Sequence, residues 1–278
     1  KRFKLVLLLE GLLVGILAGL VIVGYRICLT NGALWLQRIL AYCKQSIFTI
    51  IIWFVILFVI ALVVTKLLDW ESLISGSGIP QLEGELAGKI DAKWWRVLIA
   101  KFFGGFLANF SGLALGREGP SIQLGAMVGK GIGKVLKRGK TEERYLLTCG
   151  ASAGLAAAFH APLAGVMFAL EEVHKHFSAP LLISVMTSSI AADYLMSSIL
   201  GMAPVFSFNI HGTLPTQYYW MVIILGIILG LLGAFYNKAL LFVQSLYNHS
   251  KHLNNYTKLL IPFILAGILG FTVPQLLG

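Results

Sequence analysis

Residues 47–65, IFTIIIWFVILFVIALVVT, run for 19 positions without a charge. About 20 apolar residues in a helix cross a hydrocarbon core of roughly 30 Å. Residues 218–237 and 259–278 are further uncharged runs. The N-terminal KRFKLVLLLEGLLVGILAGLVIVG starts basic, as a signal peptide does, but its apolar stretch is too long and no small-residue cleavage site follows. It reads as a first membrane helix with Lys1, Arg2 and Lys4 on the cytoplasmic side. The chain is 12% charged, half the share of a soluble domain, which is roughly a quarter. These features specify an all-α polytopic membrane protein, with residues 1–278 expected to form a single transmembrane domain.

The 22 Lys and Arg residues outnumber the 12 Asp and Glu residues. In a membrane chain this excess marks cytoplasmic loops and contact with anionic lipid, so nucleic acid is not an expected partner. Basic residues gather in residues 89–101 (KIDAKWWRVLIAK) and 130–144 (KGIGKVLKRGKTEER), both candidates for cytoplasmic loops. Trp94 and Trp95 read equally as an interfacial anchor or as core. Cys28, Cys43 and Cys149 have neither disulfide-framework nor zinc spacing.

Several apolar segments are too short to span. Residues 102–116 end at an Arg-Glu pair, residues 119–129 end at Lys130, and residues 145–170 are divided by Pro162. The interruptions share a form: GSGIP at 76–80, GREGP at 116–120 and FHAP at 159–162. Proline suits the first turn of a helix, where its missing N–H is no loss, so each break reads as a fresh helix start. A helix starting inside a membrane exposes unpaired N–H groups and a positive dipole end. Transporters use such starts to hold anions at mid-membrane. Placement of the prolines at the membrane surface is the plainer alternative, and the shortness of the flanking runs favours burial. Small residues at four-residue spacing (Gly11/Gly15/Gly19, Gly125/Gly129/Gly133, Gly150/Gly154, Gly226/Gly230) predict close helix packing.

Ser77, between Gly76 and Gly78, offers a hydroxyl and close backbone approach ahead of a helix start, or serves only as a linker turn. Glu118 at the next start is favoured by the dipole. Its carboxylate can also occupy an anion position from which a free anion displaces it. Burial raises a carboxylate's affinity for protons and backbone donors lower it, so a group held between the two can exchange its proton. Arg117 is either a direct anion ligand or, as readily, a structural partner beside Glu118 that reaches for carbonyls, and the second reading is preferred. Glu171 and Glu172 close an apolar helix, where the dipole disfavours them. They mark either its emergence into water or a proton entry point relayed to Glu118. His174 and His176, two apart, do not share a helix face, and no metal site is expected. An intramembrane enzyme using Glu171, Glu172 and His160 lacks a nucleophile or metal motif.

Taken together, GSGIPQLEGEL, KFFGGFLANFSGLALGREGPSIQLGAMVG and GLAAAFHAPLAGVMFALEEV resemble, in order and spacing, the signature segments of the CLC family of chloride channels and proton-coupled chloride transporters. The resemblance implies an inverted-repeat fold of tilted and broken helices and a homodimer with one pore per subunit. It assigns chloride binding to Ser77, Gly78, Ile79, Gly119 and Pro120, with Gly116 and Arg117 supporting the gate motif. It makes Glu118 the external gate, Glu172 the internal proton-transfer residue and Glu171 its neighbour on the proton route. Glutamate at 172 favours exchange over a passive channel, which remains the alternative, and serine at 77 favours chloride. Chloride is the only bound cofactor expected, and a prokaryotic plasma membrane the expected location. The segments that complete the anion site in the family's second half do not occur here, so the second repeat is expected to be truncated. His160 stands where relatives often have asparagine.

Overall fold

The structure, a computed structural model, describes residues 2–202, 212, 215–249 and 254–277. Among the described residues ten α-helices follow one another: α1 (Arg2–Cys43), α2 (Ile47–Trp70), α3 (Ile79–Leu86), α4 (Trp94–Phe110), α5 (Glu118–Val135), α6 (Lys140–Phe159), α7 (Pro162–Phe168), α8 (Ala179–Leu200), α9 (Tyr219–His249) and α10 (Asn255–Thr272). A π-turn over Ala169–His174 continues α7. No strand occurs among the described residues. Five of the helices (α1, α2, α8, α9 and α10) carry stretches long and apolar enough to cross a membrane. At 1.5 Å per residue α1 is about 63 Å long, twice a hydrocarbon core of roughly 30 Å, so a bilayer accommodates it only with a strong tilt or a projecting end.

The chain divides into two compact units, one of residues 1–203 with 260–278, the other of residues 204–259. The second is built on α9, whose apolar side chains are almost all exposed. Gly226 and Gly230, expected as packing positions, have no atom within 4 Å of where a Cβ would lie.

In the first unit the small-residue stripes work as expected. Gly11, Gly15 and Gly19 of α1 lie against Ser184, Ser188 and Ala192 of α8. The hydroxyls there bond carbonyls across helices: Ser184 Oγ donates to Leu7 O at 3.0 Å and Ser188 Oγ to Cys149 O at 3.0 Å. α5 and α6 run antiparallel with backbones in contact, Gly125 against Gly150, Gly129 against Leu146 and Gly154 against Ser121. Glycine makes this approach possible, and in lipid, where apolar burial gives no drive, close packing and interhelical hydrogen bonds hold the pair.

The two basic stretches depart from expectation. Lys130 does not end the helix: α5 continues to Val135. Its side chain is fully buried and donates to Glu85, to Asp91 Oδ1 at 2.7 Å and to the Ala92 carbonyl at 2.7 Å. Two carboxylates and a carbonyl replace the water a lone ammonium would require, so a cation sits where charge counting places a loop. Lys101 is likewise buried, on α4. The tryptophan pair separates by role. Trp94 packs over Gly131, whereas Trp95 is exposed and stands edge-on to Trp70, with the Arg96 guanidinium over both rings.

Candidate functional site

All three proline-marked breaks are helix starts. Pro80 is the second residue of α3, Pro120 the third of α5 and Pro162 the first of α7. Each falls in the first turn, where no intrahelical partner for its N–H exists.

The first two starts are brought together. A Cβ on Gly119 would lie 2.6 Å from the Ser77 carbonyl and 3.0 Å from Ser77 Cα, so the missing side chain is what lets the start of α5 rest on Ser77. Gly78 is doubly constrained: its φ of 93° is left-handed, and a Cβ would meet Gln123 Oε1 at 2.5 Å. Three long side chains fix the intervening loop by its carbonyls. Gln123 Nε2 donates to Leu73 O at 2.9 Å, Lys101 Nζ to Ile74 O at 2.8 Å and Gly76 O at 2.7 Å, and Gln81 Nε2 to Ser75 O at 2.9 Å. With successive carbonyls turned to these donors, the amides of Ser77 and Gly78 donate to no described residue. Nor do those of Glu118 and Gly119 at the adjoining start. Ser77 Oγ accepts a long 3.4 Å bond from the Ile79 amide, which leaves its own proton free. Four amides and one hydroxyl at two abutting helix N-termini form a concentrated donor set for an anion. Lys101 and Gln123 were not among the expected site residues. Their signal in the sequence, a cation and an amide within apolar helices, was visible but had no evident target.

Glu118 is the first residue of α5 and half-buried. Its carboxylate folds back over the preceding turn, with Oε2 lying 2.7 Å from where a Cβ on Gly116 would be, and it makes no hydrogen bond among the described residues. Among the described residues no ion pair joins Glu118 and Arg117. Arg117 lies instead within repulsive reach of Arg26 on α1.

Glu171 and Glu172 sit in the π-turn, both exposed. A π-turn inserts a wide backbone turn and occurs often at functional positions. The same turn carries His174, whose Nδ1 is 2.8 Å from Thr148 Oγ1 and whose ring packs near Tyr145. Burial, then the neighbouring His176 and Arg144, hold the His174 imidazole below its usual titration range. A cleft of about 910 Å³ opens alongside, lined by Glu83, Lys89, Arg144, Tyr145, His174 and His176 among others. The α5–α6 register sets Glu118 level with residue 157 of α6, while the π-turn contacts α6 at Thr148. Nine residues of helix at 1.5 Å each separate these levels, about 14 Å. Direct proton transfer requires hydrogen-bond contact, so a proton passing between Glu172 and Glu118 needs intervening carriers.

An all-helical membrane chain in which interrupted helices abut, amides unpaired, with a carboxylate at the junction, has the architecture of secondary transporters. The family described as "Voltage gated chloride channel" matches residues 57–278. The H(+)/Cl(-) exchange transporter ClcA of Vibrio parahaemolyticus is 38% identical over 211 residues, covering 73% of this chain and 45% of the relative. ClcA of Citrobacter koseri is 33% identical, covering 100% of this chain and 60% of the relative. Among solved structures, a slow cyanobacterial Cl−/H+ antiporter superposes with a TM-score of 0.85 at 31% identity, covering 96% of this chain and 63% of its own. The chain belongs to the CLC, or voltage-gated chloride channel, family, and it spans between 45% and 60% of the length of these two curated relatives.

Proposed function

We propose that this chain supplies the gate-bearing part of an antiporter that exchanges chloride for protons. The observation that carries the reading is the seating of Gly119 on Ser77, which joins two helix starts into one donor set and puts Glu118 at its edge. Ser77, Gly78, Ile79, Gly119 and Pro120 surround the chloride, and Gly116 and Arg117 shape the turn that carries the gate. Glu118 competes with chloride for the amides when ionised and withdraws when protonated, since a neutral carboxyl is a poorer acceptor and gains less from the dipole. Glu172, exposed and followed directly by Val173 of the cleft lining, with Glu171 next to it, takes up protons from the other side. The relatives' names, and their identity of 31% or more to this chain, support exchange rather than passive conduction. The working unit is a homodimer with one pore per subunit, bathed in lipid in a prokaryotic plasma membrane, as the bacterial relatives support.

The test is the reversal potential of full-length protein in liposomes under opposed chloride and pH gradients. An exchanger's potential depends on both gradients, whereas a channel follows chloride alone. Glu118→Gln is expected to keep chloride flux and abolish proton pumping, and proton pumping that persists in that variant would falsify the gate assignment.

A further inference from the structure

Among the described residues, His174 is the only side chain of the π-turn that hydrogen-bonds to another helix. Its Nδ1 lies 2.8 Å from Thr148 Oγ1 on α6, and the same hydroxyl donates to the Arg144 carbonyl at 2.8 Å. A threonine hydroxyl has one proton. With that proton on the carbonyl, Oγ1 can only accept from the ring, so the neutral imidazole carries its hydrogen on Nδ1. An imidazolium donates from the same atom, so the bond holds whether or not the ring is charged. Thr148 is fully buried, which shields the bond from water.

The residue this bond bears on is Glu172, two positions earlier in the turn. Glu172 is exposed, and its carboxylate makes no hydrogen bond or ion pair among the described residues. Its place is therefore set by the backbone that carries it, and the three residues that follow hold that backbone. Val173 is buried in an apolar cluster with Leu82 of α3, Met127 of α5 and Leu147 of α6. Burial of this kind resists withdrawal but has no direction. Lys175 closes the turn as a left-handed residue, φ 58°, with its amide donating to Leu170 O at 3.0 Å. Its ammonium reaches Glu83 of α3 at 3.3 Å, but that pair is exposed and holds weakly. The His174–Thr148 bond is short, directional and ends on a buried acceptor. It is the contact that fixes the height and rotation of the turn on α6.

We propose that His174 is a positioning residue for proton uptake: its Nδ1–H bond to Thr148 pins the π-turn to α6 and so fixes where the Glu172 carboxylate stands. His174 itself passes no proton in this role, and it lies outside the donor set for chloride around Ser77 and Gly119.

This inference rests on the transport reading above, and the experiment separates their failures. Chloride flux and proton uptake driven by a chloride gradient are measured on full-length protein in liposomes. His174→Ala strands no buried donor, because Thr148 keeps its Arg144 partner. It is expected to lower proton uptake about fivefold or more while chloride flux stays within about twofold of wild type. His174→Asn is expected to return proton uptake to within about twofold of wild type, because its amide nitrogen is a donor at the same position along the side chain as Nδ1. Asparagine restores the bond without the ring, which separates the bond from the packing of His174 on Tyr145. Thr148→Val keeps the shape and removes the acceptor, so it is expected to match His174→Ala, and the double variant to lose no more than either single one. Hydrogen exchange across residues 169–175 reads the anchor without transport: about fivefold faster in His174→Ala and Thr148→Val, and as in wild type in His174→Asn.

Wild-type protein that moves chloride without protons, or Glu172→Gln protein that still pumps them, sinks the transport reading and this inference with it. Coupled wild-type protein whose proton uptake is undiminished in His174→Ala, or a loss that His174→Asn does not repair, overturns the positioning role alone. If His174→Ala protein conducts nothing, Thr148→Val decides. Selective loss of proton uptake with faster exchange supports the role, whereas unchanged proton uptake, or loss of chloride flux there too, overturns it.

Discussion

Lys101→Met is the substitution that most directly tests how the proposed anion site is held. The ammonium of Lys101 is buried and donates to the carbonyls of Ile74 at 2.8 Å and Gly76 at 2.7 Å, on either side of Ser75 and immediately before Ser77. Methionine nearly conserves the volume, so packing changes little, but two carbonyls lose their donor. Ile74 is buried, and orphaning such an acceptor costs about 1–3 kcal/mol, while Gly76 is exposed and its carbonyl can turn to water at less cost. The loop can escape most of this by rotating its peptides toward water, and that rotation turns the Ser77 and Gly78 amides out of position. A loss of about 1.4 kcal/mol at the anion site is a tenfold loss of affinity. We therefore expect chloride titration calorimetry on the full-length protein to show at least a tenfold weaker Kd, with helix content by circular dichroism unchanged. Chloride affinity within about twofold of wild type, together with an unchanged Tm, refutes the idea that Lys101 fixes this loop.

The remaining predictions concern the packing, the buried ion cluster around Lys130 and the proposed proton path. Gly119→Ala places a methyl 2.6 Å from the Ser77 carbonyl and is expected to push α5 off Ser77 and cut chloride flux at least tenfold, whereas Gly139→Ala, with no atom within 4 Å, leaves it unchanged in the same assay. Lys130→Met strands the buried Glu85 carboxylate, and the expected cost of about 3–5 kcal/mol is read as a lowered Tm. Lys130, through its hydrogen bond and then its charge, holds the Asp91 carboxyl below the usual carboxylate range. That contribution to stability is present above the unfolded-state value of about 3.9 and is lost as pH falls through the lower folded value. Asp91→Asn should remove this acid-sensitive component from a plot of Tm against pH; an unaltered acid limb would count against the pairing. Glu172→Gln is expected to abolish proton movement in liposomes while chloride still passes, and intact proton pumping would point to another internal donor.

Much of the site was legible because its chemistry is local. Proline in the first turn, glycine before it and a carboxylate at the start are properties of a few adjacent residues, so GSGIP, GREGP and FHAP announced α3, α5 and α7 without reference to the rest of the chain. Lys130 and Lys101 were not legible in this way. A lysine is cheap in a loop and costly in a core, and only the presence of Glu85, Asp91 and free carbonyls 25 to 45 residues away reverses that choice. The setting of Arg117 was not legible either, because the cation that bears on it, Arg26, comes from α1.

The sequence by itself determined that this is a multi-pass helical membrane protein, where its helices break, and which family its motifs resemble. These follow from runs of apolar residues and from turn chemistry, both of which act over a few positions. The tertiary structure alone decided that Gly119 rests on Ser77, that Lys101 and Gln123 turn the loop carbonyls away so that its amides stay free, and that His160 lies between Arg26 and Asp193. Those are contacts between residues 25 to 134 positions apart. Such contacts join separate helices and loops, so they are set only when the helices pack and cannot be read from a few adjacent residues.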